Sequence, residues 1–156
     1  MAHIATGSRE DALDILQDTM CKLVEKYANR DAASWYPLFY TILQSRIRDW
    51  YRREKVRNRF RTWFGDRSAD SNSHMDHQDE ATPDPADQVQ ALQQLQEVGR
   101  VIRSLPVRQQ QAFMLRVFES CDVRQTAEIM GCSEGSVKTH YARAIATMKV
   151  KLGDPV

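Results

Sequence analysis

The chain lacks the features of several large protein classes. No apolar run in its 156 residues reaches the length of a membrane span, and the N-terminus lacks the basic-then-apolar order of a signal peptide, so no membrane insertion is expected. The three cysteines, Cys21, Cys121 and Cys132, are odd in number and far apart, with no C-x-x-C spacing; His74 and His77 sit in a polar stretch without a partner cysteine. No metal and no cofactor are therefore expected, and the thiols read as reduced in a cytoplasmic protein. There is no Gly-rich phosphate loop, no cluster of acids and histidines, and no nucleophile with a plausible base. Those gaps speak against an enzyme. A formal net charge of +1 also leaves the chain without the bulk basic signature of a nucleic-acid binder. Strand-like alternation is missing throughout, so the expected fold class is all-α.

What is present is strongly segregated. Arg46, Arg48, Arg52, Arg53, Lys55, Arg57, Arg59, Arg61 and Arg67 crowd one segment, and Asp66, Asp70, Asp76, Asp79, Glu80, Asp84 and Asp87 come almost directly after. Opposed blocks of this kind describe a chain by its parts. Residues 1–67 read as a first helical domain, 68–84 as a flexible, acidic, disordered linker, and 85–156 as a second domain of four helices. The acidity of the linker fits either solubility or mimicry of nucleic acid in a basic channel.

In the first domain Ser8 is a candidate N-cap, with Glu10 and Asp11 in the first turn where the helix dipole favours acids. Leu13, Leu16, Met20, Leu23, Val24 and Tyr27 recur at helical spacing as the expected buried stripe. Asp14, Gln17 and Asp18 lie mostly off it, as a solvated face or an acidic docking surface. Ala28–Ala33 reads as a polar loop and Ser34 as the cap of a second long helix, with Pro37 in its first turn. That helix buries Phe39, Ile42, Leu43, Ile47 and Trp50 and then becomes densely basic, with aromatics interleaved. Basic and aromatic residues together suit nucleic acid, through phosphate neutralisation and base stacking.

In the second domain Val89, Leu92, Leu95, Val98, Val101 and Ile102 predict one helix, and Val107–Ser120 another with Ala112, Phe113, Leu115, Val117 and Phe118 as apolar contributors. The last third then reads as helix, tight turn, helix over Asp122–Met130, Gly131–Ser133 and Glu134–Leu152. Ala127 leaves room for a crossing helix, Gly131 can take the positive φ of the turn, and Ser133 caps the final helix. Val137, Tyr141, Ala144, Met148 and Leu152 make one apolar stripe. The opposite face carries Gly135, Ser136, Thr139 and Arg143, flanked by Lys138 and His140; such a face suits base edges and phosphates. An ordinary helical hairpin would share the caps and the glycine turn.

Two sets of motifs in this order resemble a bacterial RNA polymerase sigma factor of the extracytoplasmic-function type. Glu10-Asp11-Ala12-Leu13-Asp14-Ile15-Leu16-Gln17-Asp18-Thr19-Met20 is similar to the family's region 2.2, and Trp35 through Arg53, ending Arg48-Asp49-Trp50-Tyr51-Arg52-Arg53, resembles regions 2.3 and 2.4. Ser104-Leu105-Pro106-x-Arg108 through Phe113-x-Leu115 resembles the start of region 4, and Thr126 through Thr139 its helix-turn-helix. The resemblance implies a factor that binds core RNA polymerase and directs promoter-specific initiation. It implies that Asp14, Gln17 and Asp18 dock on the polymerase. It assigns the −10 element to Asn29, Arg30, Asp31, Ser34, Ser45, Arg48 and Asp49, with Arg52, Arg53 and Lys55 on phosphates. The −35 element falls to Ser133, Gly135, Ser136, Lys138, Thr139, His140 and Arg143, and an anti-sigma factor is an expected partner.

Two departures stand out. Ser45 occupies a position where the family often has Asn, so the resemblance places the −10 site without fixing its base preference. The chain also begins almost at region 2.2, where relatives carry a further helical segment; Met1–Gly7 reads as the end of one, and its loss would bare part of the stripe at Leu13, Leu16 and Met20. The competing reading is a free-standing helix-turn-helix regulator that binds a palindromic operator as a dimer.

Overall fold

The computed structural model describes residues 1–63 and 85–153, and the segment expected to be the acidic linker lies outside them. The described residues form seven helices and no strand: α1 (Ala2–Thr6), α2 (Arg9–Tyr27), α3 (Ala32–Trp63), α4 (Pro85–Ser104), α5 (Val107–Val117), α6 (Val123–Met130) and α7 (Glu134–Leu152).

Local chemistry sets most boundaries. Ser8 caps α2 by accepting the Asp11 N–H at 3.2 Å, as expected. The start of α3 differs from expectation. Ser34 lies inside the first turn rather than at the cap, its hydroxyl donating to the Asp31 carbonyl at 2.7 Å, while the Trp35 indole N–H donates to the Arg30 carbonyl at 3.2 Å. These two local bonds let the turn begin earlier, at Ala32. With the helix starting this early, Pro37 lies inside it rather than in its first turn, and leaves the Ala33 carbonyl without its N–H partner.

The buried face of α2 also departs from the leucine stripe. Ala12, Ile15, Thr19 and Leu23 point inward, whereas Leu13 is 55 % exposed and Leu16, Met20 and Val24 are exposed as well. The inward face is rotated by about 90° from the expected one. It pairs small residues with large ones, so α1 and α3 can approach closely, and Thr19 is satisfied by donating to the Ile15 carbonyl at 2.7 Å. In the second half, Val117 and Phe118 are exposed where burial was expected, because α5 stops at Val117 and the chain turns at Ser120 with a positive φ of 53°. Leu95 and Leu92 on α4 are exposed too, while Val101 and Ile102 carry its burial.

One apolar cluster unites Ala5 of α1, Ile15 of α2, Leu43 and Ile47 of α3, Val101 and Ile102 of α4, Met114 of α5 and Met148 of α7. A second cluster under the helix-turn-helix gathers Leu115, Cys121, Ala127, Ile129, Met130 and Val137, with Tyr40 of α3 packed against it. Trp50, expected in the core, is half-buried at the edge of the first cluster. The central helix α3 thus touches both halves of the chain.

Candidate nucleic-acid interface

The helix-turn-helix is held by short-range chemistry. Asp122 and Gln125 form a reciprocal capping box, the Asp122 carboxylate accepting from the Gln125 N–H at 2.7 Å and the Gln125 side chain accepting from the Asp122 N–H at 2.9 Å. Gly131 closes α6 with φ 61° and ψ 47°, a left-handed conformation that costs any Cβ-bearing residue. Its N–H and that of Cys132 bond back to Glu128 and Ala127 carbonyls, at 3.2 and 3.1 Å. Ser133 then caps α7 by accepting the Ser136 N–H at 3.2 Å.

With Val137, Ala144 and Met148 locked inward, α7 must turn the opposite face outward. Ser133, Gly135, Lys138, Thr139 and Arg143 are exposed there, and Ser136 and His140 are half-buried at its margins. Gly135 keeps the entering end of the helix slim. Thr139 gives its hydroxyl proton to the Gly135 carbonyl at 3.0 Å, so toward a ligand it offers lone pairs and a methyl group. Lys138 and Arg143 supply the charge.

The expected −10 residues occupy the α2–α3 loop and one side of α3. Asn29, Arg30 and Asp31 are exposed in the loop. At 100° per residue, Ser34, Ser45, Arg48, Asp49 and Arg52 fall on one face of α3, with about 16 Å of helix between Ser34 and Ser45. Arg52 and Asp49 form an exposed ion pair at 3.7 Å, too solvated to fix either side chain. Arg53 and Lys55 leave this face in opposite directions. Arg53 lines a cleft of about 350 Å³ together with Asp14, Gln17, Asp18, Trp50 and Arg57, so the acidic face of α2 looks across at cations of α3. Lys55 borders a wider pocket of about 790 Å³ with Trp50, Tyr51, Arg59 and Arg103.

Arg48 has a neighbour that its own segment does not announce. Burial, and then the guanidinium of Arg108 on α5, hold its pKa below the ordinary arginine value. Arg108 itself donates to the Met130 carbonyl at 2.8 Å, bracing the end of α6. The helical phase of α3 gave no sign of this juxtaposition; Arg108 stood out only as part of the motif that opens the second half. Among the described residues no three His, Cys, Asp or Glu side chains gather as a metal site, and no helix is long and apolar enough to cross a membrane.

Residues 95–148 match the family described as Sigma-70, region 4, a span that contains α5, α6 and most of α7. Over 97 % of its length the chain is 26 % identical to the ECF RNA polymerase sigma factor BldN of Streptomyces coelicolor, of which the alignment covers 54 %. The chain thus spans about half the length of this curated relative. The fold is similar to that of the sigma factor RpoE of Bartonella quintana, solved with the anti-sigma factor NepR, at a TM-score of 0.66 and 22 % identity over 99 % of this chain and 89 % of that one. The region 4 segment and the likeness to BldN make this chain similar to sigma factors of the sigma-70 type, and its helical fold is similar to that of RpoE.

Proposed function

We infer that this chain binds core RNA polymerase in the cytoplasm and directs it to promoters, α3 and the loop before it reading the −10 element and α7 the −35 element. The observation that carries this reading is the exposed, polar and cationic face of a doubly capped, glycine-turned helix inside the segment that matches sigma region 4. Lys138 and Arg143 would reach guanine O6/N7 or phosphate in the major groove, where Arg or Lys to guanine is the commonest specific contact. Gly135 and Ser136 allow the backbone of α7 to approach closely.

On the −10 side the task is melting, which needs no catalytic residue. Asn29, Arg30, Asp31 and Ser34 with Ser45, Arg48 and Asp49 would capture unstacked bases, and that capture offsets a loss of about a few kcal/mol of stacking. Arg52, Arg53 and Lys55 would hold the flanking phosphates. Asp14, Gln17 and Asp18 form the polymerase-docking edge. RpoE was solved with an anti-sigma factor, and a partner of that kind would regulate this chain by covering its two halves.

Co-elution of the full chain with bacterial core polymerase at moderate salt tests the reading, with Asp14→Arg alongside. Asp14 is exposed, so the variant should fold. Stoichiometric binding that the substitution abolishes is the expected result. Wild-type chain that ignores polymerase yet binds a palindromic duplex as a dimer would establish a free-standing regulator instead.

A further inference from the structure

A cavity of about 790 Å³ opens where α1, α3 and α4 meet. Sites for small organic ligands measure about 300–1,000 Å³, so the space suits one. Its floor is aromatic: Trp50 and Tyr51 meet edge to face, 5.1 Å between centroids and 75° between planes. Tyr51 is pinned there, because its hydroxyl donates to the Ala5 carbonyl at 2.7 Å and accepts from Gln110 at 2.9 Å. At 100° per residue, Tyr51 and Glu54 stand about 110° and 170° from the centre of the α3 face assigned to the −10 element.

The rim is cationic. Lys55 and Arg59 of α3 border the cavity together with Arg103 of α4. Glu54 is the one carboxylate among the described lining residues, and an ion pair with Arg57 takes it up. No ion pair among the described residues neutralises Lys55, Arg59 or Arg103. Arg103 is also set in place by backbone. A Cβ at Gly7 or at Gly99 would lie 3.3 Å from its guanidinium, so a side chain at either position would crowd it. Glycine inside a helix lowers helix stability, and α4 carries one where this guanidinium packs. Burial raises the Tyr51 pKa, while the bond from Gln110 and then the charge of Arg103 oppose the rise, so the guanidinium is felt at the floor. Arg103 nevertheless makes no hydrogen bond or ion pair among the described residues, which leaves its fork of N–H donors oriented and uncommitted.

That combination selects a class of ligand. A flat ring covers the aromatic corner, and arginine pairs with phosphate through two parallel N–H bonds. Three cations around one space call for a head of several negative charges, which a single carboxylate does not supply. We propose that this cavity binds a nucleoside polyphosphate, its base against Trp50 and Tyr51 and its phosphates on Lys55, Arg59 and Arg103. Neither polymerase nor promoter takes part in this site, which stands independently of the sigma-factor reading.

Calorimetric titration of the full chain with adenosine triphosphate is the test, with adenosine and inorganic tripolyphosphate titrated separately. The nucleotide should bind one to one and saturably, tripolyphosphate at least tenfold more weakly, and adenosine more weakly still. Tm should rise with nucleotide concentration, because the ligand binds the folded chain alone. Arg103→Gln and Arg59→Gln should each weaken nucleotide binding about tenfold. Arg59 is exposed, so its variant keeps the fold even if loss of Arg103 disturbs the packing at Gly7. Neither residue lies on the α7 face, so affinity for −35 duplex should stay as it was. No saturable binding of the nucleotide, or binding that both variants retain, would overturn the site. Tripolyphosphate that binds as tightly as the nucleotide would overturn the role of the two rings. Single-stranded DNA that displaces the nucleotide at matched phosphate concentration would hand the cations to a nucleic-acid backbone and overturn the small-molecule assignment.

Discussion

Ile47→Ala is the substitution that most directly asks whether α3 belongs to a core shared by both halves. Ile47 is 1 % exposed and sits in one cluster with Ala5, Ile15, Val101, Ile102, Met114 and Met148. The substitution removes three carbons, worth about 2.4 kcal/mol of transfer at about 0.8 kcal/mol each. Five other helices frame the void and cannot all relax inward, so a cavity term of about 1–2 kcal/mol adds to this. The expected loss is about 4 kcal/mol, or a fall in Tm of roughly 8–16 °C for a chain of this size. Leu13→Ala on α2 is the control: 55 % exposed, it should cost about 0.5 kcal/mol or less. Urea unfolding followed by tryptophan fluorescence and by far-ultraviolet circular dichroism is the assay. All three tryptophans, Trp35, Trp50 and Trp63, lie on α3, whereas the dichroism reports every helix. The two probes should therefore move together in Ile47→Ala. A loss under about 1 kcal/mol, or a fluorescence transition that shifts while the helical signal stays, would refute a shared core.

Two further outcomes are expected. Lys138→Ala and Arg143→Ala should each weaken binding to −35 duplex about five- to 150-fold, corresponding to about 1–3 kcal/mol, while polymerase binding and helical content hold, because both side chains are exposed; an equal fall in polymerase binding would displace the recognition helix from α7. Alkaline titration at 295 nm checks the tyrosines. Hydrogen bonding to Cys121, then burial, pushes Tyr36 up to about 12, and burial, then the bond to Glu119, raises Tyr40 further. A folded value above the ordinary tyrosine value near 10 favours the neutral form, so this stabilisation is complete below about pH 10 and is lost as the pH climbs towards 12. Removing both hydroxyls by Tyr→Phe should delete a late-titrating component, and an unchanged curve would refute the assignment.

How much of this was legible in the sequence depended on how local the chemistry is. The helix-turn-helix could be read almost residue by residue, because Asp122, Gly131 and Ser133 act on backbone groups within four positions of themselves. The face of α7 was legible for the same reason, since Val137, Ala144 and Met148 fix its phase. On α2 the same method picked the wrong side. Hydrophobicity singled out Leu13, Leu16, Met20 and Val24, but the helix buries Ala12 and Thr19, small residues that permit close approach to α1 and α3. Nothing in the period of a single helix says which neighbours it will meet. The buried glutamines are the extreme case: Gln44, Gln110 and Gln111 look like surface residues until the partners across the seam between α3 and α5 are in place.

The demands on α3 are of three kinds: core and seam lie about 40° apart, and the reading face about 130° beyond the seam. Leu43 and Ile47 hold the core, Tyr36, Tyr40 and Gln44 form the seam, and Ser45, Arg48, Asp49 and Arg52 make the face assigned to DNA. Arg48 stands where seam and reading face meet. It is partly desolvated and opposed by Arg108, so it works against the packing of α3 on the second half. In the proposed −10 role the same guanidinium would meet DNA instead. One side chain would therefore lower the stability of the fold and serve the proposed reading of DNA. A neutral residue at position 48 should therefore raise the thermal stability of the chain and weaken the proposed contact with DNA together.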